Sequence, residues 1–268
     1  MALRDITLGQ YFPGNSPIHR LDPRAKLVAL ICYIVALFLA EWLVTYGILL
    51  AALAVVVKVS TVSLKSLLRG MKPVVFILAF TAVLNIFYTP GEPLVSFWIF
   101  TVTREGIVHA VFMVVRILML ISCTFLLTYT TSPLALTDGL ESLMGPLKKI
   151  RVPVHELSMM MSIALRFIPT LIEETDKIMS AQRARGADFD SGNLIQRAKA
   201  LIPLLVPLFI SAFRRADELA TAMECRCYHG GEGRTRMKQL HYRPGDVVFI
   251  LGSLALAVAV GVLGHFGL

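Results

Sequence analysis

The chain has 268 residues, of which 56% are hydrophobic and 16% charged, with a mean hydropathy of +0.71. About a quarter of the residues of a water-soluble domain are charged, so this composition excludes an ordinary soluble enzyme and points to a polytopic membrane protein. The net charge of +8, from 26 Lys plus Arg against 18 Asp plus Glu, would suggest nucleic acid in a soluble protein; in a membrane protein it reads as cytoplasmic loop charge, and no nucleic-acid partner is expected.

Residues 1–26 hold Arg4, Asp5, Arg20, Asp22, Arg24 and Lys26 and no apolar core, so no signal peptide is expected. From Leu27 to Val57 the chain is apolar except at Glu41, which Trp42 follows. A single helix of that length would measure about 46 Å against a hydrocarbon core of about 30 Å, so two spans folded back at Glu41-Trp42 are predicted. A third span runs from about Pro73 to Tyr88 and a fourth from about Ile107 to Tyr129, with the turn-rich Thr89-Pro90-Gly91-Glu92-Pro93 between them. The last runs from Val247 to about Phe266.

Five spans with a cytoplasmic N-terminus place 24 of the 26 basic residues inside, leave Arg104 outside and put Arg116 within a span. The C-terminus is then external, and the membrane is the cell membrane. Reading 27–57 as one span would invert everything after it. Segments 1–26 and 58–72 carry this argument, because a loop as long as 130–245 largely escapes the charge rule.

Residues 130–245 contain no alternating strand runs and read as three helices. The first follows Ser132-Pro133 and ends near Lys148-Lys149. The second runs from after Pro153 to about Arg185, with Leu157, Met161, Ala164, Ile168 and Leu171 on one face. After Asp188-Phe189-Asp190-Ser191-Gly192, the third runs from Asn193 to about Arg226, with Leu194, Ala198, Leu201, Leu205 and Leu208 recurring likewise. The charge-free stretch from Ala200 to Phe213 is too short to span and holds Pro203 and Pro207, while the second helix carries His155, Glu156, Arg166, Glu173, Glu174 and Asp176. Both are therefore expected to form a platform at the cytoplasmic face, apolar toward the bundle and charged toward the cytosol. Their ends echo each other: Asp176 and Asp217, Ile178 and Leu219, Ala181 and Ala222, Arg185 and Arg226 align.

Catalytic signals are missing. No phosphate-cradling glycine loop ends in Gly-Lys-Ser/Thr, and Gly230-Gly231-Glu232-Gly233 lacks both the spacing and the lysine, so the chain is not expected to bind ATP itself. His155-Glu156 lacks the second histidine of a zinc protease. Cys225 and Cys227, with His229 nearby, fall short of a four-ligand metal set and read as helix-end cysteines. No cofactor or metal is expected. Cys32 and Cys123 lie in apolar runs, and the four cysteines together suit a reducing compartment. Arg116 reads as paired inside the bundle or snorkelling rather than as a gate. An ABC-type permease that binds its own substrate would need polar groups among the spans, where only Asn85 and Arg116 stand out. An intramembrane lipid-processing enzyme would need acidic and metal motifs that are absent.

The strongest local signal is Ala184-Arg185-Gly186 at a helix end. Glycine suits the left-handed residue after a helix, alanine lets another surface come close, and the arginine between them projects a two-pronged carboxylate binder. Taken alone the tripeptide is a generic helix stop. With Arg226 ending the next helix, and with Gly14-Asn15-Ser16-Pro17-Ile18-His19-Arg20-Leu21-Asp22-Pro23-Arg24-Ala25-Lys26-Leu27 at the N-terminus, the chain resembles the transmembrane T component of energy-coupling factor (ECF) transporters over essentially its whole length.

The resemblance implies an all-α polytopic membrane protein with about five transmembrane helices and three cytoplasmic coupling helices, the last two long and crossed. Residues 1–129 would hold the first four spans, 130–245 the coupling helices and 246–268 the last span. It implies a non-catalytic scaffold in the lipid bilayer that joins two cytoplasmic ATPase subunits to an interchangeable membrane-embedded vitamin-binding S component. Ala184, Arg185 and Gly186 would dock in one ATPase subunit, and Cys225, Arg226 and Cys227 in the other. The second set departs from the family's Ala-Arg-Gly: the arginine stays and the glycine's backbone freedom is lost, which suits a heterodimeric ATPase pair. Met144, Met159, Met160, Met161 and Met179 would supply an adaptable face for several S components, or ordinary core filling.

Overall fold

A computed structural model describes residues 11–90, 93–97, 100–189, 193–230 and 239–266. In chain order its helices are α1 (Pro23–Leu39), α2 (Leu43–Ser60), α3 (Leu64–Tyr88), α4 (Arg104–Thr130), α5 (Pro133–Leu143), α6 (Val154–Ala184), α7 (Leu194–Ala200), α8 (Ile202–Glu224) and α9 (Pro244–Phe266). The chain divides into two compact units, a bundle drawn from residues 9–139 and 240–268 and a second unit that includes residues 140–239.

In the bundle, α2, α3, α4 and α9 are long and apolar enough to cross a membrane. Helix α1 has 17 residues, about 26 Å, and packs extensively along α9. The predicted fold-back is present: α1 ends at Leu39 and α2 begins at Leu43, and Tyr33 Oη of α1 donates to the Leu49 carbonyl of α2 at 3.2 Å. Side chains such as Phe76, Ile77 and Phe80 stand exposed on α3, as expected of a surface that faces lipid.

The third span departs from expectation at its start. Helix α3 begins at Leu64 rather than near Pro73, because Ser63 Oγ accepts the Ser66 N–H at 3.2 Å and caps it, and Pro73 lies inside the helix. Its 25 residues, about 37 Å, carry Lys65, Arg69 and Lys72 in the first turns. Between α3 and α4 an unforeseen antiparallel hairpin forms, β1 (Pro93–Phe97) with β2 (Phe100–Thr103). Gly91 and Glu92 of the predicted turn lie outside the described residues. Helices α3 and α4 pack closely and antiparallel: a β-carbon at Gly70 would stand 2.9 Å from both the Phe125 ring and the Tyr129 hydroxyl, while Asn85 Nδ2 meets Met113 Sδ at 3.1 Å.

The second unit begins within α5, at Leu140, and α5 is followed by a 3₁₀ segment, Gly145–Ile150, so the first predicted coupling helix tightens before its lysines. Glu141 is buried and accepts from Ser158 Oγ at 2.7 Å and pairs with His155 Nδ1 at 3.1 Å, which fixes the start of α6. Helix α6 runs 31 residues, as predicted. The third coupling helix, expected in one piece, is interrupted at Leu201 between α7 and α8. Pro203 has no N–H to offer the Lys199 carbonyl, so the ladder breaks there. Pro169 and Pro207 sit inside α6 and α8.

Helices α6 and α8 meet in antiparallel order. Met159 Sδ accepts from Tyr228 Oη at 3.2 Å near one end; further along, Glu174 accepts from Arg215 Nη2 at 2.6 Å and from Ser211 Oγ. Between these contacts Ala212, Ala216 and Ala220, spaced by four on α8, leave a groove of about 490 Å³ facing Phe167 and Leu171 of α6.

Candidate partner-docking site

The two arginine-bearing helix ends have the same backbone construction. After α6, the Gly186 N–H bonds to the Arg183 carbonyl at 3.0 Å and the Ala187 N–H to the Gln182 carbonyl at 3.0 Å. After α8, the Cys227 N–H bonds to the Glu224 carbonyl at 2.8 Å and the Tyr228 N–H to the Met223 carbonyl at 3.1 Å. This paired pattern is a Schellman ending, and it requires a left-handed residue just past the helix. Gly186 supplies it with φ 89° and Cys227 with φ 52°. Arg185 and Arg226 therefore hold the same position, the last before the left-handed turn.

The sequence echo thus has a structural counterpart at the same offset, and the loss of glycine at the second end does not change the fold of that end. Cysteine there costs roughly 1 kcal/mol that glycine would not. The hydrogen bonds of the Cys227 and Tyr228 N–H groups to the Glu224 and Met223 carbonyls hold the turn in that conformation.

Both arginines are exposed, and neither guanidinium has a hydrogen-bond or ion-pair partner among the described residues. Ala184, Gly186, Cys225 and Cys227 are exposed beside them. The antiparallel register sets residue 226 opposite residue 161, so along α6 the two tips stand about 24 residues, roughly 36 Å, apart. Two like-built cationic tips at opposite ends of one helix pair can engage two separate acidic grooves at once. Charge-assisted, two-pronged bonds to carboxylates are the chemistry they offer.

The N-terminal segment that carries the other half of the resemblance makes a clasp inside the bundle. Ser16 Oγ lies 2.6 Å from His19 Nδ1, and His19 Nε2 lies 3.1 Å from the Phe12 carbonyl, which folds residues 12–19 into a knot. Asp22 caps α1 by accepting the Arg24 N–H at 2.9 Å and also pairs with the Arg24 guanidinium, which stacks 4.3 Å over the Tyr242 ring. The Asp22 N–H donates to Asp246 Oδ1 at 2.8 Å, and Asp246 Oδ2 accepts from the Arg243 N–H at 2.7 Å. Lys26 Nζ donates to the Thr130 carbonyl at 2.9 Å and to Thr131 Oγ1 at 3.1 Å. The starts of α1 and α9 and the end of α4 are thereby tied at one end of the bundle, so α1 and α9 run parallel and α4 runs against them.

The family model described as cobalt transport protein (CbiQ) matches residues 14–237, a stretch that begins in the clasp and includes both arginine tips. A protein of Acidaminococcus fermentans named energy-coupling factor transporter transmembrane protein EcfT is 56% identical over 261 residues, 97% of each chain. Proteins of the same name from Ruminiclostridium cellulolyticum and Bacillus subtilis are 55% identical over 92% of each chain and 49% identical over 94% of this chain and 96% of theirs. The chain belongs to this family of ECF transporter transmembrane proteins. It is a membrane-spanning transport component, as the N-terminal segment and the paired arginines predicted.

Within an ECF transmembrane protein the two polar side chains that a self-binding permease would need are already engaged. Asn85 Nδ2 donates to the Thr81 carbonyl at 3.0 Å as well as meeting Met113. Arg116 donates from Nε to Tyr46 Oη at 2.7 Å and from Nη2 to the Ala40 carbonyl at 2.9 Å, and lies near the rings of Phe38 and Tyr46. It caps the carbonyl end of α1, in line with the bundle-pairing reading. Of the methionines, Met159 accepts from Tyr228, just past the end of α8, while Met160 and Met161 are exposed. Sequence reasoning missed the Glu174–Arg215–Ser211 contact. Its signal is three polar residues on two otherwise apolar helix faces, a pattern that helix periodicity alone does not pair.

Proposed function

We propose that this chain is the scaffold that couples two cytoplasmic ATPase subunits to a membrane-embedded, substrate-binding S component during micronutrient uptake, ATP being hydrolysed in the partners. The observation that carries the reading is the pair of like-built helix ends with exposed arginines, Arg185 and Arg226, at opposite ends of the α6–α8 pair. Each arginine pairs with acidic residues in a groove of one ATPase subunit. The different flanks, Ala184 and Gly186 against Cys225 and Cys227, favour a heterodimer of ATPases. When ATP closes that dimer the tips move with it, and the helix pair passes the displacement on by shear about its proline bends.

The S component rests on the apolar face of α8, where Val206, Phe209, Ile210 and Phe213 are exposed. Residues 130–245 act as the coupling segment on the cytoplasmic side. The N-terminus is cytoplasmic and the C-terminus external, a reading supported by the basic residues of segments 1–26 and 58–72. In that frame the end of the bundle that joins α1, α4 and α9 is the inner one.

The test is co-purification of tagged Arg185→Glu/Arg226→Glu protein from its own membranes. Loss of the ATPases and of uptake, with the chain still in the membrane, is the expected result. Undiminished ATPase recovery would sink the docking reading. A protease site placed after residue 268 and cut only from outside the cell checks the orientation.

A further inference from the structure

Between α5 and α6 the 3₁₀ segment Gly145–Ile150 runs on into Arg151, whose N–H bonds to the Lys148 carbonyl at 3.0 Å and closes the turn. Lys148, Lys149 and Arg151 are exposed, and none of the three side chains has a hydrogen-bond or ion-pair partner among the described residues. No acidic residue lies between Glu141, which is buried and bonded to Ser158, and Glu156. Three residues per turn stack Leu147 on Ile150 along one edge and set Lys148 and Lys149 on the two flanking edges. Ile150 is 77% exposed, as open as Phe76 on the outer face of α3 at 80%. Water is a poor surrounding for such a side chain, whereas a bilayer surface suits both halves of the turn: the apolar edge enters the acyl boundary and the cations stay among headgroups. Topology does not account for these charges, because a loop of this length largely escapes the positive-inside bias. Gly139 of α5 rests against the start of α1, where a β-carbon would stand 3.0 Å from Pro23 Cβ, and only six positions of chain separate it from Gly145.

We propose that Leu147, Lys148, Lys149, Ile150 and Arg151 form a membrane-surface anchor that binds anionic phospholipid headgroups and so holds the start of α6 at the bilayer face. Its binding chemistry stands on the turn itself; its consequence rests on the coupling reading of α6. The anionic partner follows from three uncompensated cations, each worth about fivefold in binding beside an anionic surface. The turn leads directly into α6, whose first residues are tied back to α5 by the bonds of Ser158 and His155 to Glu141. An anchored start gives α6 a fixed point. Movement entering at Arg185, at the far end of the helix, then turns α6 about that point instead of shifting it bodily.

The experiment places the whole transporter, purified through the tagged chain with its partners, in vesicles of phosphatidylcholine or of phosphatidylcholine mixed with phosphatidylglycerol. Each lipid in turn carries a photoreactive headgroup, and labelled peptides are mapped by mass. Equal composition of the two leaflets makes the labelling independent of which face the turn occupies. Phosphatidylglycerol is expected to label segment 145–151 in preference to phosphatidylcholine, the preference falling about fivefold for each cation replaced and vanishing in Lys148→Gln/Lys149→Gln/Arg151→Gln. Lys148→Arg/Lys149→Arg is expected to keep it. Both variants are expected to retain the ATPases, since Arg185 and Arg226 are untouched. Uptake per ATP by the triple variant in the mixed vesicles is expected to fall to that of wild type in phosphatidylcholine alone. Equal labelling by the two lipids, a preference that survives the triple variant, or a ratio of uptake to ATP indifferent to both lipid and variant overturns the proposal. So does labelling that appears only once the ATPases are stripped, which would assign the turn to a partner. Failure of the docking reading would leave the labelling as it is and show instead as undiminished ATPase recovery with Arg185→Glu/Arg226→Glu.

Discussion

The backbone N–H of Asp22 donates to Oδ1 of Asp246 across 224 positions of chain. Asp246 is 1% exposed, and its other oxygen accepts from the Arg243 N–H, so one carboxylate holds the first turn of α9 and the lead-in to α1 together. Replacing it by alanine strands the buried Asp22 N–H, at a cost of about 1–3 kcal/mol. Asp246→Ala is expected to lower the unfolding temperature of the detergent-solubilised protein, and Asp246→Asn, which keeps one acceptor oxygen, to lower it less. Equal unfolding temperatures for all three proteins would refute the clasp.

That contact marks the boundary of what the residues alone disclose. Asp22 ahead of Pro23 is a helix cap that can be read from its neighbours, and the apolar runs with their basic flanks fix where spans lie, because burial in lipid is a property of a stretch. Which acceptor the Asp22 N–H finds is a property of the fold, and nothing near residue 22 names residue 246. The start of α3 was legible and overlooked: Ser63 is a capping residue, but the lysines and arginine after it suggested a loop. At the two arginine-bearing helix ends the repeat of Asp176–Arg185 in Asp217–Arg226 was visible, whereas the left-handed turn at Cys227 was not, since β-carbon sterics argue against it locally and only the hydrogen bonds of the whole helix end overrule them.

The equivalence of Gly186 and Cys227 can be weighed directly. Cys227→Gly relieves roughly 1 kcal/mol of left-handed strain, while Gly186→Ala introduces about the same. Hydrogen exchange at the Cys227 and Tyr228 positions is expected to slow in the first variant, and exchange at Gly186 and Ala187 to quicken in the second. No change in either variant, or quickening in the first with slowing in the second, would mean that the two endings are not built alike.

Arg116 distinguishes a scaffold from a permease that binds its own substrate. Its replacement by methionine removes the bonds to Tyr46 and the Ala40 carbonyl, at about 1–3 kcal/mol. Arg116→Met is therefore expected to lower thermal stability while the KM of uptake by the surviving complex stays unchanged. A raised KM at undiminished stability would instead place the arginine in a substrate site.

Glu174 and Arg215 form the ion pair where α6 meets α8, with 22% and 31% of their side chains exposed. Partial exposure screens the pair, so a double-mutant cycle with Glu174→Gln and Arg215→Gln is expected to give a coupling energy of about 1 kcal/mol. The larger effect should be mechanical. The pair pins the register of two helices whose only function, on the docking reading, is to carry movement from Arg185 and Arg226 to the apolar face of α8. Without it each helix can slide past the other along the alanine-lined groove, so tip movement is absorbed rather than passed on. Glu174→Gln is expected to bring down as much ATPase as wild type and to hydrolyse ATP, yet to take up less substrate for each ATP spent, measured on the same vesicles. An unchanged ratio of uptake to hydrolysis would show that the coupling path bypasses this contact; loss of the ATPases would show that the pair holds the tips in place instead of transmitting their motion.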